Sequence, residues 1–370
     1  MTTAADPIVR FVGIGKTYDG VTRIVDDLDL DIRRGEFLTL LGPSGSGKTT
    51  TLMLLAGFET PTAGEILLDG APLSRVPPHR RNIGMVFQNY ALFPHMTIAE
   101  NIGFPLSVRA MPADERARRI ERALDMVQLA GFGERRPAQL SGGQQQRVAV
   151  ARALVFEPKL ILMDEPLGAL DKQLREQMQL EIRRLHQRLG VTMVYVTHDQ
   201  SEALTMSDRI AVFHRGRIEQ LDTPERMYEH PRNAFVARFI GESNRLAGRL
   251  EAVVDGRCTI EVDGAGARIA GTLIEPVTPG GTVSVSLRPE RVQIRAAGHT
   301  IDGPPGCSLA GSLREIVYLG DHVRARVAVG GNEDFMVKRP ISEAHLLPDV
   351  GASVEVFWTP EHCRAFAEER

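Results

Sequence analysis

The sequence predicts an α/β domain over residues 6–240, built on a mostly parallel sheet wrapped by helices, followed by an all-β domain over residues 241–370. Three observations predict it. Up to about residue 240 short apolar runs alternate with longer helical patterns, as when strands cross over through helices. The run Gly42-Pro43-Ser44-Gly45-Ser46-Gly47-Lys48-Thr49 stands between an apolar stretch at 37–41 and a helix-like segment at 50–56. That strand, turn and helix context is what a phosphate loop of the form G-x-x-x-x-G-K-[ST] requires. Beyond residue 240 helical periodicity fades, glycines multiply and short alternating strands appear.

Ahead of the glycine-rich loop, Ile8 to Tyr18 and Ile24 to Ile32 read as short strands. Glu65 to Gly70 ends in an Asp-Gly pair typical of a tight turn, so an antiparallel β patch is expected at the front. In the loop, glycines let backbone N–H groups turn toward a chain of phosphates, Lys48 adds a point charge, and Thr49 offers a hydroxyl to Mg²⁺. Gly42, Ser44, Gly45, Ser46, Gly47, Lys48, Thr49 and Thr50 are the candidate phosphate-binding residues. The plainer alternative, a glycine-rich turn with an exposed lysine, fits these flanks less well. Further strands are expected at Ile83–Phe87, Leu160–Met163 and Val191–Val196, near-continuous apolar runs suited to a sheet covered on both faces. Residues 113–130 read as an arginine-rich amphipathic helix with Ile120, Leu124, Met126 and Val127 on its apolar side. The 160–163 run delivers two adjacent carboxylates, Asp164 and Glu165. In ATPases with such a phosphate loop the first acid holds the Mg²⁺ environment and the second polarises the attacking water.

Leu140-Ser141-Gly142-Gly143-Gln144 precedes a helix-like segment at 145–154. Ser141 as N-cap with Gln144 three residues on makes a capping box, and a glycine-rich helix start is also an anion site. With the phosphate loop and the acid pair in this order, the chain closely resembles the nucleotide-binding subunits of ABC transporters. The resemblance implies a P-loop NTPase core with antiparallel β and helical subdomains, and a C-terminal all-β OB-like domain of the TOBE type. It also implies ATP and Mg²⁺ as cofactors, and a second copy of the chain as partner. In that family Ser141, Gly142, Gly143 and Gln144 of one subunit would close over the γ-phosphate held by the loop of the other. Residue by residue, Tyr18 matches the aromatic that stacks on adenine, and Gln88 the glutamine that senses Mg²⁺ and the attacking water. His198 matches the switch histidine at the γ-phosphate, and Asp171 the loop that meets the partner subunit. The candidate metal set is Thr49, Gln88 and Asp164; the candidate catalytic set is Glu165, His198 and Gln88. One departure is Gly168-Ala169 before Leu170-Asp171, where the family often has serine.

Within the class, repair and chromosome proteins insert long coiled coils, translation factors carry tandem cassettes, and exporters fuse membrane helices. None of these patterns is present. A net charge of −3 gives no reason for a nucleic-acid partner. No apolar run approaches the roughly 20 residues of a membrane span, and the N-terminus lacks signal-peptide features. Cys258, Cys307 and Cys363 have neither disulfide-framework nor zinc spacing. A stand-alone cassette with a C-terminal β domain resembles importer ATPases, and Leu287 to Glu290 with Gly311 to Gly320 are the TOBE-like pieces. The expected location is the cytoplasmic face of the inner membrane, as a peripheral subunit. Permease subunits would dock near Gln88 to Phe93, with Tyr90, Leu92 and Phe93 lining a groove for a coupling helix. An equally weighted local reading makes residues 88–101 a loop and helix capped by Thr97 and Glu100. A solute-binding protein would take part indirectly. Segments 168–176 and 239–244 look most like spermidine/putrescine importer ATPases. Iron(III), sugar or other small-solute importers, or a soluble non-transport ABC ATPase, are the alternatives.

Overall fold

Residues 6–298 and 307–368 are described in the computed structural model. Contacts divide the chain into two units meeting at residues 227 and 228, against the sequence boundary of 240 and 241; each unit is taken by itself. The first opens with β1 (Val9–Thr17), β2 (Arg23–Ile32), β3 (Phe37–Leu41), α1 (Lys48–Ala56), β4 (Ala63–Leu68) and β5 (Ala71–Pro72). Strands β1, β2, β4 and β5 form an antiparallel sheet in the order β2-β1-β4-β5. Asp69 and Gly70 both have positive φ in the β4–β5 turn, the left-handed pair that a type I′ turn needs.

The chain continues through β6 (Ile83–Val86), α2 (Ile98–Val108), α3 (Ala113–Met126), α4 (Gly142–Leu154), β7 (Leu160–Asp164), α5 (Lys172–Leu189), β8 (Thr192–Thr197), α6 (Gln200–Met206), β9 (Arg209–His214) and β10 (Arg217–Asp222). A six-stranded sheet runs in the order β10-β9-β3-β8-β7-β6, parallel except for β10. Every residue of β3, β7 and β8 is buried, which is why these segments read as unbroken apolar runs. The loops after β3, β6, β7 and β8 carry the phosphate loop, Gln88, Glu165 and His198.

Helix α3 is shorter than the predicted 113–130. It stops at Met126 because Gln128 adopts φ 59°. The Leu129 amide bonds back to the Leu124 carbonyl and the Gln128 amide to the Asp125 carbonyl, a Schellman closure built without glycine. Val127 and Leu129 then pack with Leu124 beneath α2 and α4 as loop residues.

In the second unit, the barrel and sheet comprise β11 (Asn244–Val254), β12 (Arg257–Val262), β13 (Arg268–Leu273), β14 (Thr282–Leu287), β15 (Gln293–Ala296), β16 (Ser308–Tyr318), β17 (His322–Val329), β18 (Asn332–Pro340), β19 (Ser353–Phe357) and β20 (Arg364–Ala367). A five-stranded closed barrel, β11-β12-β13-β20-β14, is joined by a second sheet, β15-β19-β16-β17-β18. Along β17, Val323, Ala325, Val327 and Val329 are buried as the alternation predicts. All three cysteines lie in this unit's apolar core and are unpaired. Burial pushes the Cys258 thiol up to about 11.

Candidate nucleotide site

Strand β3 carries the chain into Gly42, where a Cβ would lie 2.4 Å from the Phe213 carbonyl oxygen; only glycine fits there. At the other end of the loop Gly47 has φ 100° and caps α1 without any side-chain hydrogen bond. The first N–H groups of α1 are thus left for an anion, on the positive end of the helix dipole. Lys48 is only 4% exposed. Its Nζ donates to the Gly42 and Pro43 carbonyls, each at 2.9 Å. Burial lowers the lysine's pKa, with Glu165 and Asp164 opposing.

Thr49 Oγ1 donates to Asp164 Oδ1 at 3.0 Å, joining residues 115 positions apart. Burial raises the Asp164 pKa, which the Thr49 bond partly offsets. A hydroxyl and a carboxylate side by side are hard oxygen donors suited to Mg²⁺, which is held through one or two carboxylates plus phosphates and retained waters. Among the described residues no group of three or more His, Cys, Asp or Glu could hold a metal by itself. Thr49 and Asp164 therefore fit a cation that arrives with a phosphate chain.

Glu165 has φ 43°. Its amide bonds to the Val196 carbonyl at 3.0 Å, and its Oε1 lies 3.1 Å from His198 Nδ1. The adjacent acids are thereby separated: Asp164 stays in line with β7 toward Thr49, while Glu165 turns toward His198. The histidine side chain is 59% exposed, open to a ligand over the loop.

Other expected residues lie elsewhere. Tyr18, on the β1–β2 connection, is exposed. Lys16 Nζ sits 4.7 Å from its ring centroid, held by Glu59 at 2.7 Å and the Thr60 carbonyl at 3.0 Å. Asp19 braces this connection by accepting from the Val21 and Thr22 amides and the Thr17 and Thr22 hydroxyls. These bonds hold its carboxyl well below the usual range. Gln88 is exposed beyond β6, and among the described residues no hydrogen bond joins it to Thr49 or Asp164. Tyr90 does not line an open groove as expected: it is 7% exposed within the core. The Arg152 guanidinium takes the Tyr90 and Ala91 carbonyls, each at 2.7 Å, and draws that segment inward. Leu92 and Phe93 remain partly exposed.

Ser141 caps α4: its Oγ accepts from the Gln144 amide at 3.4 Å, while Gln144 Oε1 accepts from the Ser141 amide at 3.0 Å. Gly142 is exposed and Gly143 is buried against Leu174. Among the described residues no hydrogen bond links 141–144 to the phosphate loop of the same chain. Asp171 caps α5 through the Leu174 amide at 3.0 Å. A Cβ on Gly168 would meet only the Glu165 carbonyl, at 3.5 Å, so nothing in its own subunit excludes a serine there. Sequence reading passed over Arg175, Glu202, Lys16 and Glu59. The only signal was position, Arg175 one helical turn past Asp171 and Glu202 four residues past His198.

Residues 25–168 match the ABC transporter family, and residues 285–366 match the TOBE domain family. The spermidine/putrescine import ATP-binding protein PotA of Acidothermus cellulolyticus is 50% identical over 360 residues, 96% of this chain and 93% of that protein. The protein of the same name from Thermobifida fusca is 47% identical, over 97% of this chain and 93% of its own length. Among solved structures, the ATP-binding cassette MJ0796, a dimer in a post-hydrolysis state bound to ADP and Pi, is similar with 36% identity. It has a TM-score of 0.53, with 58% of this chain and 98% of that one covered. CbiO1 from Clostridium perfringens, part of the ABC transporter complex cbiONQ, has 30% identity and a TM-score of 0.56, covering 60% of this chain and 90% of that one. The chain belongs to the ABC transporter ATP-binding family: it is an ATPase cassette followed by a TOBE domain.

Proposed function

We propose that the chain is the motor subunit of a polyamine importer, hydrolysing ATP in a head-to-tail dimer at the cytoplasmic face of the membrane. The observation that carries the chemistry is the cluster at the strand ends, with Thr49 bonded to Asp164 and Glu165 beside His198. Glycine-loop amides and Lys48 hold the phosphates, and Tyr18 offers its exposed face to the adenine. Thr49 and Asp164, with Gln88 beyond β6, are the residues that would hold Mg²⁺, which when bound would supply charge neutralisation to the phosphates. Glu165 accepts the proton of the attacking water, and His198, with Nδ1 on Glu165, turns its exposed side to the γ-phosphate. The signature residues 141–144 make no bond to their own phosphate loop, which supports their completing the site of a second copy. The dimeric form of MJ0796 supports the same reading.

The cargo assignment is supported by relatives named for spermidine/putrescine import at 43–50% identity over most of the chain. Membrane subunits are expected at Leu92 and Phe93, and a solute-binding protein supplies the cargo from the far side. The test is reconstitution with the co-purifying permease, followed by ATPase measurements with binding proteins loaded with spermidine, putrescine, iron(III) or maltose. Stimulation by the polyamine-loaded protein alone supports the assignment. Stimulation by another solute transfers the motor to that cargo, and co-purification with a cytosolic complex and no membrane protein overturns the importer reading.

A further inference from the structure

Arg175 lies one turn into α5, with its amide on the Asp171 carbonyl at 2.9 Å. Its guanidinium reaches three separate segments. Nη2 donates to the Leu170 carbonyl at 3.0 Å, in the turn that begins at Glu165. Nη1 donates to Asp199 Oδ2 at 3.2 Å, the residue after His198. Nε is buried without a hydrogen-bond partner and lies 3.9 Å from Glu202 Oε1. Glu202, itself 3% exposed, accepts from the Thr197 hydroxyl at 2.6 Å and the Tyr195 hydroxyl at 2.8 Å. The segment carrying His198 is therefore braced on both sides: at Asp199 directly, and at Thr197 through Glu202. The same guanidinium holds the far end of the turn that begins at Glu165. The Glu165–His198 contact closes this ring of interactions opposite Arg175. A planar fork with donors in several directions can join these acceptors; a lysine ammonium on its flexible stem cannot span them all.

We propose that Arg175 is a positioning residue for hydrolysis, setting His198 against Glu165 and tying both to the loop at Asp171. The proposal rests on the reading of Glu165 and His198 as the hydrolytic pair. Its test is a double-mutant cycle on ATP turnover and ATP affinity of the full chain. Arg175→Met is expected to lower kcat about tenfold and to change the Kd for ATP less than about twofold. In a His198→Ala background the same change should cost less than about twofold, because the group it positions is gone. Arg175→Lys should fall between Met and wild type. If Arg175→Met does not fold, Arg175→Lys and Glu202→Gln replace it in the same cycle, each checked for a cooperative melt, with the same non-additivity expected. A loss that persists in full on His198→Ala, or an ATP affinity that falls as far as kcat, overturns the proposal while leaving the hydrolytic pair in place. Wild-type turnover in His198→Ala alone overturns the pair itself, and the proposal with it.

Discussion

Asp164 and Glu165 are adjacent in the chain, yet a single left-handed φ at Glu165 sends one acid to Thr49 and the other to His198. Asp164 has a folded-state pKa above the ordinary 3.8, raised by burial, and Lys48 one below 10.5, lowered by burial. Both shifts disfavour the charged forms that a metal-bound phosphate chain needs. Mg²⁺-dependent ATP affinity should therefore weaken from both ends of the pH scale. On the acid side the loss begins above 3.8 as Asp164 takes up its proton; on the alkaline side it begins below 10.5 as Lys48 loses one. The sign for stability is opposite at Asp164. A raised folded-state value favours the folded chain as pH falls, and that contribution is lost as pH rises through it. Calorimetric titration of Mg-ATP across pH, with Asp164→Asn as reference, measures this; an acid limb no steeper than that of the variant counts against it. Lys48→Ala should weaken ATP binding by roughly 1.5–3 kcal/mol, the usual range for charge-assisted contacts, read as Kd by nucleotide titration.

At the scale of elements, two helices begin with the same device. Thr97 and Glu100 cap α2 as Ser141 and Gln144 cap α4. Replacing either hydroxyl residue by alanine should cost about 1 kcal/mol of stability, but only Ser141→Ala should also abolish turnover. Melting curves and ATPase rates of the two variants separate capping from catalysis; equal rates would remove Ser141 from the site. These caps were legible because they are local in sequence, as were β3, β7 and β8 from their unbroken apolar composition. The end of α3 was not, because Gln128 takes the left-handed position usually marked by glycine. The turn at Glu165 was hidden for the same reason. The burial of Tyr90 was not legible because its side chain packs among residues distant in sequence and its carbonyl is held by Arg152, 62 residues further on. Arg175 likewise gains its partners only when α5, the β7 turn and α6 meet, which no periodicity within α5 announces. Spacing revealed the phosphate loop, the acid pair and the helix caps; tertiary contacts supplied what positions them.

For the whole molecule, a site completed by a second copy makes turnover depend on protein concentration. Specific ATPase activity should rise with concentration in the range of the dimer dissociation constant, and Glu165→Gln should hold a closed dimer in the presence of ATP. ATPase rates over a protein dilution series check the first, and sizing chromatography with and without nucleotide the second; a Glu165→Gln chain that remains monomeric with ATP counts against the sandwich. The two units also differ in their thiol content. All three cysteines of the chain fall in the C-terminal unit, and all are buried in its core. The cassette thus carries no sulfhydryl, and the folded β unit offers none to a reagent. The rate at which a thiol-specific dye reacts is consequently a native gauge of opening in the barrel unit alone. A single cysteine engineered onto the cassette surface would take a fluorophore without first removing any natural one.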